Sequence, residues 1–204
     1  MIMRFALAAP VVAVVALAAG CSGDKPPAYR LNGDACSVVP VDYFPSVTGA
    51  APTKTPSDLK DGMQGGNCDL TFDGTDGYLK QSVFIAIRTD EATAKSMFDQ
   101  FKTGDQQEAQ KPEIGDKATI TDLKDLGDAA YVEYQHDNSG AAWSADQNFL
   151  YKFNVRHGTL VLTVTASGVA PAGKPGSWPT SEAELRGKVQ DVVRGVMKNL
   201  TPAH

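Results

Sequence analysis

The chain has 204 residues, of which 42% are hydrophobic and 21% charged, and a formal net charge of -5. This mildly acidic balance argues against a nucleic-acid partner and against a polybasic attachment to anionic lipid, since both need clustered lysine and arginine. The composition is that of a globular protein, and its length suits one domain.

The first twenty residues have the organisation of a secretory signal. One cation, Arg4, precedes an uncharged run of apolar and small residues from Phe5 to Ala19. As a helix this run rises about 22 Å, short of the roughly 30 Å hydrocarbon core that a permanent span must cross. We therefore predict that residues 1–20 are a signal peptide that is removed, which changes the formal charge from -5 to about -6 through the loss of Arg4.

The residues that follow this run, LAAGC at 17–21, resemble a bacterial lipobox. Its small residues allow a peptidase to take the backbone into a narrow site beside the modified thiol. We predict that Cys21 is lipidated, and that its acyl chains, at about 0.8 kcal/mol per buried methylene, hold the protein on the extracytoplasmic face of the cell membrane. The alternatives are an ordinary cleavage site with a coincidental cysteine and an uncleaved signal anchor.

Two further cysteines, Cys36 and Cys68, form an even pair in what would be an oxidising compartment. This arithmetic favours one disulfide, worth roughly 3 to 4 kcal/mol through the unfolded-chain entropy that it removes. Two free thiols or a metal site are the alternatives. Neither cysteine has another cysteine or a histidine near it in the sequence, so we expect no metal.

The stretch at 21–35, the lipidated cysteine followed by SGDKPPAYRLNGDA, predicts a flexible tether because it contains almost nothing to bury. The composition of residues 36–201 predicts a single globular domain.

Two prolines limit 38–47 to a short helix or turn, and the Gly- and Pro-rich stretch 49–67 predicts a loop. Cys68–Phe72 and Tyr78–Arg88 alternate around a Gly/Asp turn, which is typical of an antiparallel hairpin.

A helix is expected after a cap at Thr89 or Asp90, with its apolar residues at helical spacing and its end near Gly104. Strands are expected at 117–123 and 129–135. The clearest hairpin joins 147–156 to 159–167 through His157-Gly158.

A last helix follows a capping box at Ser181 and Glu184, with one apolar stripe formed by Leu185, Val189, Val192, Val193, Val196, Met197 and Leu200. These elements predict an α+β domain: an antiparallel sheet with helices packed on one face and a C-terminal amphipathic helix.

Several motifs resemble functional sites. GVAPAGK at 168–174 has phosphate-loop spacing, but Pro175 supplies neither the hydroxyl nor the backbone donor that phosphate and magnesium require. Asp73 and Asp76 could offer oxygens to calcium, yet hairpin turn chemistry explains both. The acids Asp122, Asp125 and Asp128 are interpreted as a solvated edge with a turn at Gly127.

Histidine is the usual general base, and the mature chain has His136, His157 and His204. Of these only His136 would be worth testing as a base, because His157 falls in a predicted turn and His204 ends the chain. Aromatic residues are numerous enough to line a groove, although strand aromatics are more often core: Tyr131, Tyr134, Trp143, Phe149, Tyr151, Phe153 and Trp178.

Six features follow one another along the chain. They are the lipobox, an early cysteine opening ACSVVPVDYF, a second cysteine in GGNCDLTF, a GD turn in DLGDAAYVEY, a long hairpin and a terminal amphipathic helix. In this order, over most of residues 34–200, the chain resembles the actinobacterial envelope lipoproteins grouped as domain of unknown function 3558. The resemblance implies an α+β lipoprotein domain with a bridge between Cys36 and Cys68. It implies no activity and supplies no catalytic residue.

These features together predict a noncatalytic binding or accessory module of the cell envelope, without a cofactor, whose partner is the membrane and an envelope protein or small ligand. One alternative is a carrier of a lipid or other apolar small molecule, enclosed between the aromatic face of the sheet and the C-terminal helix. A second alternative is a hydrolase that acts on envelope polymers.

Overall fold

The computed structural model describes residues 28–43, 51–60, 63–74, 77–110, 118–137, 147–170 and 182–203. In chain order the elements are β1 (Ala28–Arg30), a 3-10 turn (Ala35–Ser37), β2 (Thr53–Asp58), β3 (Gln64–Gly74), β4 (Gly77–Ile87), α1 (Glu91–Glu108), β5 (Thr119–Leu123), β6 (Ala129–Asp137), β7 (Gln147–His157), β8 (Leu160–Ala170), α2 (Glu182–Asn199) and β9 (Thr201–Ala203). Within these residues, no helix combines the length and the apolar character needed to cross a bilayer.

In the described part of the chain, seven strands form one antiparallel sheet in the order β2-β3-β4-β8-β7-β6-β5. The two predicted hairpins, β3–β4 and β7–β8, are confirmed and supply the four central strands. Strands β1 and β9 pair in a separate two-stranded sheet. The α+β class, the antiparallel sheet and the C-terminal helix are therefore as predicted.

Because strand side chains alternate with a period of two, the sheet has a separate hydrophobic cluster on each of its faces. On β8, Leu160, Leu162 and Val164 belong to the main core with α2, whereas Val161 belongs to a smaller cluster with α1. We call the side that faces α2 the inner face and the side that faces α1 the outer face. The predicted apolar stripe of α2 is confirmed, since its residues from Leu185 to Leu200 pack in the main core.

The two helices lie on opposite faces of the sheet, which corrects the prediction that both pack on one face. Ala94 of α1 is buried against Ala86 of β4 and Val161 of β8, on the side away from α2. The physical reason is that the central strands carry apolar residues on both faces, so that each face requires a cover.

The predicted loop at 49–67 is also wrong, because β2 and the start of β3 lie within it. Pro56 is tolerated because β2 is an edge strand, whose outward N–H positions need no partner. The glycines that suggested a loop allow close backbone approach instead. A Cβ on Gly65, at φ 137°, would lie 2.0 Å from Ile85 O, and one on Gly66 would lie 2.9 Å from Ser57 O.

The folded domain begins earlier than predicted. Ala28–Arg30 pairs with Thr201–Ala203, and Tyr29 is buried, so this part of the predicted tether at 21–35 belongs to the domain. Two boundaries also differ: α1 continues past Gly104 to Glu108, and the β7–β8 register leaves Gly158 and Thr159 as the turn.

A disulfide bond joins Cys36 in the 3-10 turn to Cys68 in β3, with an S–S distance of 2.04 Å. The predicted pairing is confirmed. Both cysteines are buried in the main core, so the bond fixes the N-terminal segment against the inner face of the sheet. Cys21, the predicted lipidation site, and Ser181, half of the predicted capping box, lie outside the described residues.

Candidate functional site

The buried stripe of α1 ends in a charged residue. Asp90 caps the helix by accepting a hydrogen bond from Thr93 N, and the apolar residues Ala94, Phe98 and Phe101 then recur at helical spacing. Asp105 lies one further turn along the same stripe and is buried. A carboxylate in this position requires donors from the sheet below it.

The sheet supplies those donors from two neighbouring strands on the outer face. Tyr131 of β6 lies opposite Asn154 of β7, and one row further along the strands Glu133 lies opposite Lys152. We call these four residues and Asp105 the Asp105 cluster. All except Lys152, which is partly exposed, are buried. Alternation along two strands therefore places four polar groups beneath Asp105 of α1.

Asp105 is the acceptor at the centre of the cluster. Its Oδ2 accepts from Tyr131 Oη at 2.7 Å and from Asn154 Nδ2 at 3.3 Å, and its Oδ1 accepts from Lys152 Nζ at 2.5 Å. Thr163 Oγ1 donates to Asn154 Oδ1 at 2.6 Å and so orients that amide. Lys152 Nζ also lies 3.5 Å from Glu133 Oε2.

Burial and the neighbouring charges shift two pKa values in the cluster. Burial, the hydrogen bond to Asp105 and the Asp105 charge all raise the pKa of the Tyr131 phenol, which therefore stays protonated. Burial also raises the pKa of Glu133; the Lys152 ammonium lowers it, and the Asp105 and Glu108 charges raise it further. The Glu133 carboxyl is thus harder to ionise than a free glutamate.

The raised pKa of Glu133 predicts a dependence of stability on pH. The folded state holds this proton more strongly than the unfolded chain does, so the stabilisation is complete below the unfolded pKa, near 4.5, and is lost as the pH rises through the folded pKa. Glu133→Gln should therefore raise the free energy of unfolding more at about pH 8 than at about pH 5. Urea titrations at both values test this, and an equal effect at both would contradict it.

The geometry of the Asp105 cluster suits docking of α1 better than catalysis. Asp105 has three donors, and Tyr131 donates its proton to a carboxylate that would oppose its ionisation. Sequence analysis did not find this cluster because Asp105 follows Gly104, where the helix was predicted to end. The available signal was the polar alternation of Lys152 and Asn154 within the apolar strand β7.

A second polar constellation lies at the end of the sheet beside β1. Tyr29 Oη and His157 Nδ1 are 2.5 Å apart, and His157 Nε2 lies 3.9 Å from Asp128 Oδ1. Asp128 Oδ2 accepts from Gly158 N at 2.7 Å and from Arg156 Nη1 at 3.1 Å. Burial and the Asp128 charge raise the pKa of Tyr29, so its phenol stays protonated and the contact holds β1 on the β7–β8 turn.

The inner face contains a buried amide with no hydrogen-bond partner among the described residues. Gln81 of β4 is 1% exposed, and neither its Nε2 nor its Oε1 is paired. Its cross-strand neighbours are Leu70 and Ala166, both fully buried. Unpaired polar atoms in such surroundings are rare in folded proteins.

The acids predicted to form a solvated edge and turn do so. Asp122 pairs with Lys102 at 2.6 Å, and Asp125 and Gly127 adopt positive φ values of 62° and 67° in the turn. Asp73 is the second-last residue of β3 and pairs with Tyr78, whereas Asp76 lies outside the described residues.

The aromatic residues that were considered either as groove or as core do not form one surface among the described residues. Tyr131 lies on the outer face against Phe98, whereas Phe153 and the stacked pair Tyr134 and Tyr151 lie on the inner face. Open grooves of about 580 and 530 Å³ adjoin α1, and none of the described residues that line them is aromatic. Trp143 and Trp178 lie outside the described residues, and Phe149 is placed only by its strand pairing.

The remaining predicted site residues are placed in part. His136 occupies β6 opposite Phe149, and the first three residues of 168–174 end β8. The rest of that motif and His204 lie outside the described residues. In the part of the chain that the structure describes, no group of three or more histidine, cysteine or acidic residues could hold a metal ion.

No family model, no curated protein and no solved structure matches the chain. The resemblance to actinobacterial envelope lipoproteins therefore stays a prediction from the sequence.

Proposed function

We propose that this protein is an extracytoplasmic lipoprotein, anchored to the cell membrane through Cys21, that serves as a noncatalytic binding or accessory module of the cell envelope. The observation that carries the proposal is the order of features at the N-terminus: one cation, an uncharged apolar run too short to span a bilayer, and LAAGC at 17–21.

The folded domain supports this extracytoplasmic, membrane-anchored location in two ways. The disulfide between Cys36 and Cys68 suits an oxidising compartment, as exported proteins encounter. Strand β1 begins at Ala28, so only residues 22–27 separate the proposed lipid from the domain. A short connection of this kind suits a domain that works close to the membrane surface.

The polar clusters support a noncatalytic role. Asp105 and Asp128 are engaged by donors from strands and turns, and the phenols of Tyr131 and Tyr29 have raised pKa values that keep them protonated. Groups arranged in this way hold α1 and β1 in place. They do not form an activated nucleophile beside a general base.

Fractionation of cells that produce wild-type protein or Cys21→Ala tests the anchor. We expect the wild type in the membrane fraction, labelled by radioactive palmitate, and the variant without label and released from the membrane. Cys36→Ala with Cys68→Ala is the matched control, because it removes two cysteines and should leave the label in place. Equal membrane attachment of wild type and Cys21→Ala would refute the proposal.

A carrier of a lipid or other apolar molecule is the second candidate, and the unpaired amide of Gln81 favours it. A neutral ligand with one hydroxyl or amide group could satisfy this side chain on an otherwise apolar face. Native mass spectrometry of protein purified from its own membrane should then show a noncovalent adduct that Gln81→Met diminishes. Wild-type protein with no adduct would refute the carrier.

Gln81 also carries a prediction for protein free of ligand. Replacing an unpaired buried amide by an apolar side chain of similar length should raise the free energy of unfolding by about 1 to 2 kcal/mol. Urea denaturation of Gln81→Met measures this, and Gln64→Met, at an exposed position in β3, should change stability by less than about 0.5 kcal/mol. A loss of stability in Gln81→Met would mean that the amide has a partner.

A further inference from the structure

The position of β1 limits how the domain can face the membrane. Seven residue steps separate Cys21 from Ala28, and even a fully extended chain covers at most about 25 Å over that length. Ala28–Arg30 is held by its pairing with β9 and by two contacts from Tyr29, to His157 and to Thr159 Oγ1 at 3.4 Å. If Cys21 carries lipid, this end of the sheet must lie near the bilayer.

We call this the proximal end and define it by β1, the β7–β8 turn, the β5–β6 turn at 124–128, residues 88–91 between β4 and α1, residues 58–60 and Met63 between β2 and β3, and the last turn of α2. These segments lie near one another because the neighbouring strands begin or end there, at the same end of the sheet. Arg88 N donates to Thr159 O at 2.9 Å, and Asp128 N donates to Arg156 O at 2.8 Å, which joins neighbouring turns.

The charges at the proximal end differ from those of the protein as a whole. Among the described residues, five cations here make no ion pair: Arg30, Lys60, Arg88, Lys124 and Lys198. Of the described acids at this end, Asp128 is paired with Arg156. Asp58, Asp90, Glu91 and Asp125 make no ion pair, and the capping hydrogen bonds of Asp90 lower its pKa and keep it ionised. Among the described residues, five unpaired cations thus face four unpaired acids, on a chain whose net charge is -5.

The proximal end also presents an apolar contact. Met63, 40% exposed, is the large hydrophobic side chain that stands out from the described surface, and its Sδ lies 3.0 Å from Arg88 Nη1. A methionine beside a guanidinium matches the boundary between phospholipid head groups and acyl chains, where apolar and cationic groups are both accommodated.

We propose that the proximal end rests on the bilayer, with its free cations against anionic phospholipid head groups and Met63 at their boundary with the acyl chains. The inference rests on the proposed anchor at Cys21. The anchor supplies attachment, and the proximal end supplies orientation. The acidic remainder of the domain is repelled by the same surface and projects away from it.

Fluorescence quenching by a lipid-borne quencher tests the orientation in the full lipidated protein. Reconstitution uses vesicles of equal parts phosphatidylcholine and phosphatidylglycerol, and vesicles of phosphatidylcholine alone. A fluorophore is attached at Met63→Cys or, at the far end of α1, at Gln107→Cys. We expect strong quenching at position 63 on the anionic vesicles and little at position 107. Equal quenching at the two positions would overturn the proposal.

A pair of charge variants separates orientation from net charge. Arg30→Gln with Lys124→Gln removes two proximal cations, and Lys54→Gln with Lys80→Gln removes two from strands at the opposite end. On anionic vesicles, some molecules have the proximal end against the bilayer and the others do not. The proximal pair should lower the ratio of the first population to the second by about fivefold for each cation removed, and the control pair should leave this ratio unchanged. Equal behaviour of the two pairs would contradict the inference.

The same preparation distinguishes this inference from the proposed function. Protein that does not float with phosphatidylcholine vesicles has no working anchor, and the proposed function then fails. Protein that floats with them but shows no preferential quenching at position 63 has an anchor without the proposed orientation, and only the further inference then fails.

Discussion

Asp105→Ala should lower the free energy of unfolding by about 3 kcal/mol. The substitution removes the acceptor of Tyr131 Oη, Asn154 Nδ2 and Lys152 Nζ at once, and two of these donors belong to buried residues. The cost stays below the upper range for a broken buried ion pair because Lys152 is partly exposed and also reaches Glu133. Urea denaturation followed by circular dichroism measures it.

Asp99→Ala is the matched control on the same helix. Asp99 pairs with Lys95 at 2.5 Å, but both side chains are more than half exposed, so loss of this pair should cost less than about 1 kcal/mol. If Asp99→Ala and Asp105→Ala destabilised the protein equally, the Asp105 cluster would not be what holds α1 on the sheet.

Removal of the disulfide should have the largest effect on stability. Cys36 and Cys68 are 32 residues apart, and opening a loop of this length should lower the free energy of unfolding by about 3 to 4 kcal/mol. Cys36→Ala with Cys68→Ala, compared with wild type by urea denaturation, gives the value.

Dithiothreitol provides a second measurement of the same bond. It should lower the stability of the wild type towards that of the double variant and leave the double variant unchanged. A wild type whose stability did not respond to complete reduction would contradict the prediction.

The fold class was predictable because the strongest patterns were local. Alternation in 147–167 and the apolar stripe from Leu185 to Leu200 each identify an element without reference to the rest of the chain. The two hairpins followed from their turns, and the cysteine pair followed from its count. Except for the cysteine count, each of these signals lies within a single element or a single connection.

The arrangement of the layers was not predictable in the same way. Ala86 and Val161 give the outer face its apolar centre, but an alanine and a valine among polar neighbours do not specify which helix covers them. Strand β2 was missed because Pro56 and the glycines at 65–66 suggest a loop unless their edge position and close contacts are known. Both errors concern tertiary context.

The candidate sites depend on tertiary context even more. Asp105 and Lys152 are 47 residues apart, and Tyr29 and His157 are 128 apart, so no spacing motif connects them. Tyr29 falls within a segment whose composition predicts a tether. Its burial depends on β9 and on the β7–β8 turn, which are distant in sequence.

The proposed location of this domain outside the cytoplasm depends on a lipid at Cys21. Mass spectrometry of the N-terminal peptide of protein purified from membranes detects this lipid. We expect a peptide that begins at Cys21 and carries a thioether-linked diacylglycerol. A peptide that retains residues 1–20, or one that begins elsewhere with an unmodified Cys21, would contradict it.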